Sequence, residues 1–374
     1  MEVIPVELLT EISTNLASTS DIRHFRLVSR AFAYAATPVL FSRVHAINTV
    51  ECLKELHEFQ CRPPNPASAA RSLTLYHATW PRVASLEAWC RHPQALSQDS
   101  LSSHAKIQAY NAYRRFIDEE AGRDFKMDIS RLKRILARFP NLTSLTISHI
   151  HAWRYEKLKN EHYRQLSHRI RLVPLWKGWV QDLVRILLPI LPSFPQLNKL
   201  NIPGSLALVG AEWMVVNRNI LYLKADNLVV CDSPDNQAHS FLQLFPSLQE
   251  LDLGTEAGGP ASGQKLSLGK LWWSDLCRVT FSHMWTSEDE LVDFIVRHQL
   301  DELTLRNVTI YDGSWESFFD RVCNLPSRSI QSSKCITGAG IHIELAQAAS
   351  MYKRWLSHAA HALQPRVHLA FTPR

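Results

Sequence analysis

The sequence predicts an α/β protein in which a small helical module at the N-terminus precedes a larger domain of repeated helix and strand units. Three observations predict it. Apolar residues in the first forty positions recur at helical spacing, with proline and serine at the helix starts. A phrase of the form Phe-Pro-x-Leu-x-x-Leu comes three times, beginning at Phe139, Phe194 and Phe245. At 374 residues the chain also exceeds the size at which one compact core stops growing.

The N-terminal module reads as three helices over residues 1–45. Pro5 suits a first helical turn because it has no amide proton to leave unpaired, and Leu8, Leu9, Ile12 and Leu16 then fall on one face. Ser20 or Asp21 is expected to cap a second helix that turns Ile22, Phe25 and Val28 inward. Ser29 offers the cap of a third, which places Phe32 inside and is expected to end before Pro38. Helices this short cannot bury all their own apolar surface, so a partner or a following domain must cover the remainder.

The order Pro5, Leu8-Leu9, Ile12, Asp21-Ile22, Arg26-Leu27-Val28-Ser29-Arg30 and Phe32, closing on Pro38-Val39-Leu40-Phe41, resembles an F-box. Ile4 and Phe32 stand where family members commonly carry Leu and Trp, and both keep the apolar bulk. The resemblance implies docking onto a Skp-type adaptor of a cullin-RING (SCF-type) ubiquitin ligase. Pro5, Leu8, Leu9, Ile12, Leu16, Ile22, Leu27, Val28 and Phe32 would meet the adaptor, with Arg30 as a polar contact.

A linker helix carrying Val50, Leu53, Leu56 and Phe59 and a Pro-rich connection fill residues 46–70. Residues 71–340 then form the repeat domain, opened by a strand at Leu73-Thr74-Leu75. The first phrase contains Leu142, Leu145 and Ile147, the second Leu197, Leu200 and Ile202, the third Leu248, Leu251 and Leu253; a fourth copy, around Leu303, lacks the Phe-Pro. Positions 145, 200, 251 and 303 lie 55, 51 and 52 residues apart, and expected strands at Leu223 and Val279 halve the last two gaps into leucine-rich-repeat spacings.

Helices are expected before the copies. Ile129, Leu132, Ile135 and Leu136 precede the first, Leu183, Ile186, Leu187 and Ile190 the second, and Ser287 with Glu290 forms a capping box ahead of Leu291, Phe294 and Ile295 before the fourth. Helix, turn and short strand make one solenoid unit that buries its apolar side by stacking on neighbours. Regular leucine-rich repeats carry Asn or Cys three residues past the last strand leucine, where this chain has Ile150, Ser205, Glu256 and Val308, so an irregular solenoid is expected. The whole resembles the fungal F-box proteins with degenerate leucine-rich repeats. A helical insertion is placed at about 83–138, a basic aromatic one at about 151–179, and a capping helix with its tail at 341–374.

Chemistry-bearing motifs are sparse. The glycine-rich run from Gly254 to Lys265 breaks the phosphate-loop pattern, since Gln264 separates Gly263 from Lys265 and Leu266 stands where Ser or Thr would hold magnesium. His358 with His361, and His149 with His151, lack the third and fourth ligands of a zinc site. No Gly-x-Ser-x-Gly elbow or local Cys-His signature is present, so nothing local supports nucleophilic catalysis; the resemblance implies a non-catalytic receptor, and no cofactor or metal is expected. The seven scattered cysteines, none in a Cys-x-x-Cys, suit reduced thiols in the cytoplasm or nucleus. The acidic N-terminus is no signal peptide, and Asp182, Arg185 and Pro189 interrupt the most apolar stretch, so no membrane span is expected.

The excess of 41 Lys and Arg over 35 Asp and Glu gives +6, short of a nucleic-acid signature. One local exception is 151–179, where Arg164, Arg169 and Arg171 mingle with Trp153, Tyr163 and Trp176; it reads as an amphipathic insertion whose aromatics pack on the repeat domain and whose charges are solvated, or as a platform for single-stranded nucleic acid or an acidic protein surface. The leading expectation is a substrate receptor that joins the adaptor and cullin to an unknown protein target. Target contacts are expected from strand positions facing away from the core: Ser144, Thr146, Lys199, Asn201, Glu250, Asp252, Glu302, Thr304 and Arg306. An adaptor-binding scaffold without a ubiquitylation role is the alternative, beside the nucleic-acid binder.

Overall fold

The computed structural model describes residues 4–16, 18–59, 66–96, 101–150, 161–175, 180–207, 215–229, 237–255, 266–298, 300–323 and 340–344. The chain is mixed α/β and divides into two compact units, Met1–Leu197 and Asn198–Arg374, a division inside the expected repeat domain.

The first unit runs α1 (Val6–Thr14), α2 (Thr19–Arg26), α3 (Arg30–Leu40), β1 (Arg43–Ile47), α4 (Val50–Phe59), β2 (Ser72–His77), α5 (Leu86–Cys90), α6 (Ser103–Ala121), α7 (Phe125–Leu136), β3 (Ser144–His149), α8 (Glu161–Ile170) and α9 (Gln181–Leu187). Strands β1, β2 and β3 pair in parallel and in order, so that Val44, Leu73 and Leu145 share one row. Leu73, Leu75, Leu145 and Ile147 are fully buried, as are Leu53 of α4, Leu132 and Ile135 of α7, and Val184 of α9. Alternate strand residues and helical i, i+3, i+4 residues thus meet in one apolar layer.

Three of the expected helix boundaries move. The second helix is capped by Ser18, whose Oγ accepts from the Asp21 amide at 3.1 Å, two residues before the expected cap. Ser29 caps α3 as expected, but α3 continues through Pro38 to Leu40. The amide that Pro38 lacks would have served the carbonyl of Tyr34, on the solvent side of the helix. Helix α7 belongs to the repeat layer leading into β3, so the insertion proper closes with α6 rather than at residue 138.

That insertion has its own core. Trp89 of α5 and Tyr113 and Phe116 of α6 pack with Leu166, Ile170 and Leu172 from in and beside α8. The two stretches expected as separate insertions therefore fold on each other. The Tyr113 hydroxyl clasps the approach to α5, accepting from the Val83 amide (2.6 Å) and donating to the Pro81 carbonyl (2.8 Å).

The second unit contains β4 (Lys199–Ala207), β5 (Tyr222–Val229), α10 (Gln237–Leu242), β6 (Glu250–Thr255), β7 (Arg278–Ser282), β8 (Trp285–Ser287), α11 (Glu288–His298), β9 (Glu302–Arg306), β10 (Thr309–Asp312), α12 (Trp315–Cys323) and β11 (Gly340–Glu344). Strands β4, β5, β6, β7, β9 and β11 pair in parallel in that order, and β8 pairs with β10. Leu200, Leu223, Leu251, Val279 and Leu303 form one buried row, and Ile202, Ala225, Leu253, Phe281 and Leu305 another. The strands expected at Leu223 and Val279 are β5 and β7. Residues 341–344, expected to open a capping helix, are instead part of β11; the rest of that expectation lies outside the described residues.

The recurring phrase has a physical meaning. Phe139, Phe194 and Phe245 are buried, the prolines after them are exposed, and Leu142, Leu197 and Leu248 are buried again. Each Phe amide donates to a carbonyl three residues earlier, Leu136, Leu191 or Leu242, closing a helical turn before the chain enters the strand. At the start of β2, β3, β5, β6, β7 and β9, two consecutive amides then donate to one carbonyl before the neighbouring strand, as Gln249 and Glu250 do to Leu221. The capping box at α11 is half formed: the Glu290 amide reaches Ser287 Oγ at 3.2 Å, but its carboxylate accepts from Ser267 Oγ at 2.8 Å.

Candidate docking surfaces

The N-terminal helices divide their apolar residues between two faces. Leu9 (1% exposed) and Ile22 (9%) pack inward with Ala35 and Ala36 of α3, whose small side chains let α1 and α2 approach closely. Ile4, Val6, Leu8 and Ile12 remain exposed, Leu8 at 50%. The tight turn after α2, closed by Leu27 and Val28 amides donating to His24 and Phe25 carbonyls, holds those two side chains out in water at 81% and 65%. Tyr34 adds a 75%-exposed ring from α3. Large exposed apolar groups are thus concentrated on one short segment.

Of the residues expected to meet an adaptor, Pro5, Leu8, Ile12, Leu27, Val28 and Arg30 are exposed, and Leu16 and Phe32 are half-buried. Leu9 and Ile22 are corrected to core positions, because the α1–α3 packing encloses them. Phe32 packs on Phe25 with ring centroids 4.6 Å apart and the rings tilted by 48°. Arg26 lies over the Phe41 ring at 5.5 Å, and Phe41 meets Phe59 of α4 at 5.3 Å, fastening the module to the linker helix.

In the second unit the strand register brings the expected target-facing residues into two columns. Lys199, Tyr222, Glu250, Arg278 and Glu302 form one; Asn201, Lys224, Asp252, Thr280 and Thr304 the other. Charges along them pair with each other. Lys224 Nζ bridges Asp252 (2.6 Å) and Asp226 (3.0 Å), Arg278 pairs with Glu250, and Lys199 lies 5.8 Å from the Tyr222 ring. Burial alone would lower the Lys224 ammonium, but its two carboxylate hydrogen bonds hold it above the ordinary value. Lys199, Glu302 and Arg306 are exposed and Asn201, Glu250 and Asp252 half-exposed. Thr304 is corrected to a buried position: β11 covers β9 and places His342 opposite it.

The basic aromatic segment is described only over 161–175. There Tyr163 is fully buried, and Arg169 makes two hydrogen bonds to Glu51, one of 2.8 Å between Nη1 and Oε1. In this part the aromatic ring packs inward instead of offering a stacking platform. Arg164 is exposed, while Trp153 and Trp176 lie outside the described residues, as do His151, His358, His361 and residues 256–265 of the glycine-rich run. Among the described residues no group of His, Cys, Asp or Glu is arranged to hold a metal ion, and no helix is long and apolar enough to cross a membrane. Cys52, Cys90 and Cys277 are free thiols, and burial pushes Cys52 up to about 11, far from a reactive thiolate.

Sequence reading missed two features. One is Arg123, just past α6, which donates to Glu120, Asp128 and Asn48 in a half-buried clasp. The other is β1, which carries Arg43 and His45 beside the hydroxyl-bearing strands β2 and β3. Alternation in Arg43-Val44-His45-Ala46-Ile47 was the available signal for the strand.

A scan of protein-family models finds none that matches this chain, and a search of curated proteins finds no match either.

Proposed function

We propose that this chain is the substrate-recognition subunit of an SCF-type ubiquitin ligase, with α1–α3 as an F-box that docks a Skp-type adaptor. The observation that carries the reading is the exposure of the apolar side chains of Leu8, Ile12, Leu27 and Val28, on a module whose core is already filled by Leu9 and Ile22. A surface of this kind suits a hydrophobic protein interface with a few central anchors. The remaining helix and strand units act as an irregular leucine-rich-repeat solenoid that holds the target. The chain itself catalyses nothing: it brings target lysines near the ligase's activated ubiquitin by binding two partners at once.

The test is co-purification of the full chain with a Skp-type adaptor and a cullin, beside a Leu8→Asp, Val28→Asp variant that charges these exposed positions and leaves Leu9 in place. The expected result is capture by wild type and loss in the variant, with unchanged circular dichroism. Absence of capture by wild type would remove the F-box reading. Capture without ubiquitylation of any co-purifying protein would favour the scaffold.

A further inference from the structure

Two exposed helix faces, one in each unit, carry opposite charge. On α7 the buried side consists of Leu132, Ile135 and Leu136, and the other side carries Lys126, Lys133 and Arg134, with Arg138 just past the helix end. All four cations are exposed, and the one acid of α7, Asp128, is buried against Arg123 and Arg131. The helices packed beside α7 leave this excess standing, since α4 and α9 together add exposed Lys54 and Arg185 against exposed Glu58 and Asp182. Met127, 58% exposed, is the large apolar residue on this face.

In the second unit α11 and α12 pack together and turn Asp289, Asp293, Glu316 and Asp320 to solvent. Two cations beside them are already committed. Arg321 bridges Glu288 (3.0 Å) and Asp289 (2.5 Å), and Arg297 donates to the Gly269 (2.9 Å) and Leu268 (3.2 Å) carbonyls. Lys270, exposed in the short turn packed on α11, offsets one carboxylate and leaves the face acidic. Val296, 49% exposed, is the large apolar residue here.

Helix electrostatics account for only part of this pattern. Lys133 and Arg134 lie in the last turn of α7 and Asp289 in the first turn of α11, where the helix dipole favours them. Lys126 lies in a first turn, where a cation is disfavoured, and Asp293 at the middle of α11, beyond the reach of the dipole's ends. Their charges serve the surface rather than the helix.

We propose that the chain self-associates head to tail, the basic face of α7 in one copy meeting the acidic face of α11 and α12 in a second copy. Lys126, Lys133 and Arg134 are the cationic contacts, Asp293 and Glu316 the anionic ones, and Met127 packs on Val296 between them. The twelve residues of α7 extend about 18 Å, too little for the roughly 800 Å² per partner of a standard interface, so the association is weak and sensitive to salt. Each copy keeps one face of each sign, so the contact either adds copies in a chain or closes two of them reciprocally. Neither α1–α3 nor the strand columns take part, and self-association therefore stands or falls apart from the receptor reading.

The test is sedimentation velocity of the full chain from about 1 to about 100 µM, a range that brackets weak association. It is run at about 0.1 M and about 1 M salt, between which the Debye length falls from about 10 Å to about 3 Å. Expected is an average mass that rises with concentration at the lower salt and returns to one chain at the higher. A Lys126→Glu, Lys133→Glu variant and an Asp293→Lys, Glu316→Lys variant should each lose at least about tenfold in association constant. Among the described residues none of these four side chains has a bonded partner, so circular dichroism should be unchanged. An equimolar mixture of the two variants should associate again, because the acidic face kept by one meets the basic face kept by the other. A wild type that stays monomeric at the lower salt overturns the proposal and returns the α7 face to a foreign acidic partner. Association indifferent to salt or to either variant, or a mixture no more associated than its parts, overturns it as well.

Discussion

Arg123 holds Asn48 at both its carbonyl (2.8 Å) and its side-chain oxygen (2.9 Å), joining residues 75 positions apart in sequence. The same guanidinium reaches Glu120 at 3.0 Å and Asp128 at 2.7 Å, while Glu120 accepts from the Val50 amide that opens α4. The end of α6 is thereby plugged into the turn between β1 and α4.

Replacing Arg123 by Met should cost about 3 kcal/mol, because it leaves Glu120 without its cation and Asp128 with only the longer Arg131 contact (3.7 Å) in a sparingly hydrated place. Arg123→Lys should recover little, since one ammonium cannot reproduce the fork. Burial already holds Glu120 above the ordinary carboxylate value of 4.5, and loss of Arg123 raises it further. A raised carboxylate costs stability as pH rises from the unfolded value through the folded one, so the variant's deficit should grow over that window. Urea midpoints at acid and neutral pH check both claims.

Leu8→Ala should change stability by no more than about 0.5 kcal/mol, whereas Leu9→Ala should cost about 2–5 kcal/mol. The difference follows from one side chain being half in water and its neighbour enclosed. Chemical denaturation of the two variants, with adaptor capture measured alongside, should give opposite rankings for folding and for docking.

His298 donates through Nδ1 to the Phe294 carbonyl (2.8 Å) and accepts at Nε2 from the Trp273 amide (3.2 Å), which requires the neutral ring. Burial, partly offset by the Phe294 bond and reinforced by Arg297, holds it below its ordinary 6.5. The unfolded chain then takes up the proton first, so stability present above pH 6.5 is lost as pH falls from there toward the folded value. Denaturation midpoints between pH 7.5 and 5.5 should fall in wild type and slope less in His298→Gln. His77 and His239 are displaced the same way by burial, so some slope should persist.

Gly313→Ala should destabilise the chain by about 1–3 kcal/mol. Its φ of +104° disfavours any side chain, and a Cβ would stand 2.5 Å from Glu288. Glu288, held below the usual carboxylate range by the Ser314 amide and the Ser317 hydroxyl, fastens the start of α12, so displacing it loosens that helix. Thermal unfolding of Gly313→Ala and Glu288→Gln should give losses that do not add, since both act on one contact.

Much of the parallel strand order was legible because the sequence phrase that leads into several of its strands is periodic. Burial of the Phe and Leu in each phrase repeats at intervals long enough to separate from chance, and the expected strands at Leu223 and Val279 follow from it. Strand β1 carried only a weak signal, the short alternation of Arg43 and His45 with Val44 and Ala46, five residues long and lacking the recurring phrase. In α1, apolar residues sit on both sides of the helix, and spacing alone does not say that Leu9 turns inward while Leu8 turns out. The burial of Thr304 depends on β11, 38 residues downstream of β9 in register, and no local pattern announces such a neighbour.

The joint core of Trp89, Tyr113 and Phe116 with Leu166, Ile170 and Leu172 imposes a schedule on synthesis. Its aromatic half leaves the ribosome first, and its aliphatic half follows after roughly 50 further residues, several seconds at about 5–20 residues per second. Through that interval the nascent chain displays three large rings with nothing to close over them. The segment that completes the accessory helices therefore also ends the period in which a growing chain is most open to capture by chaperones or by another nascent copy.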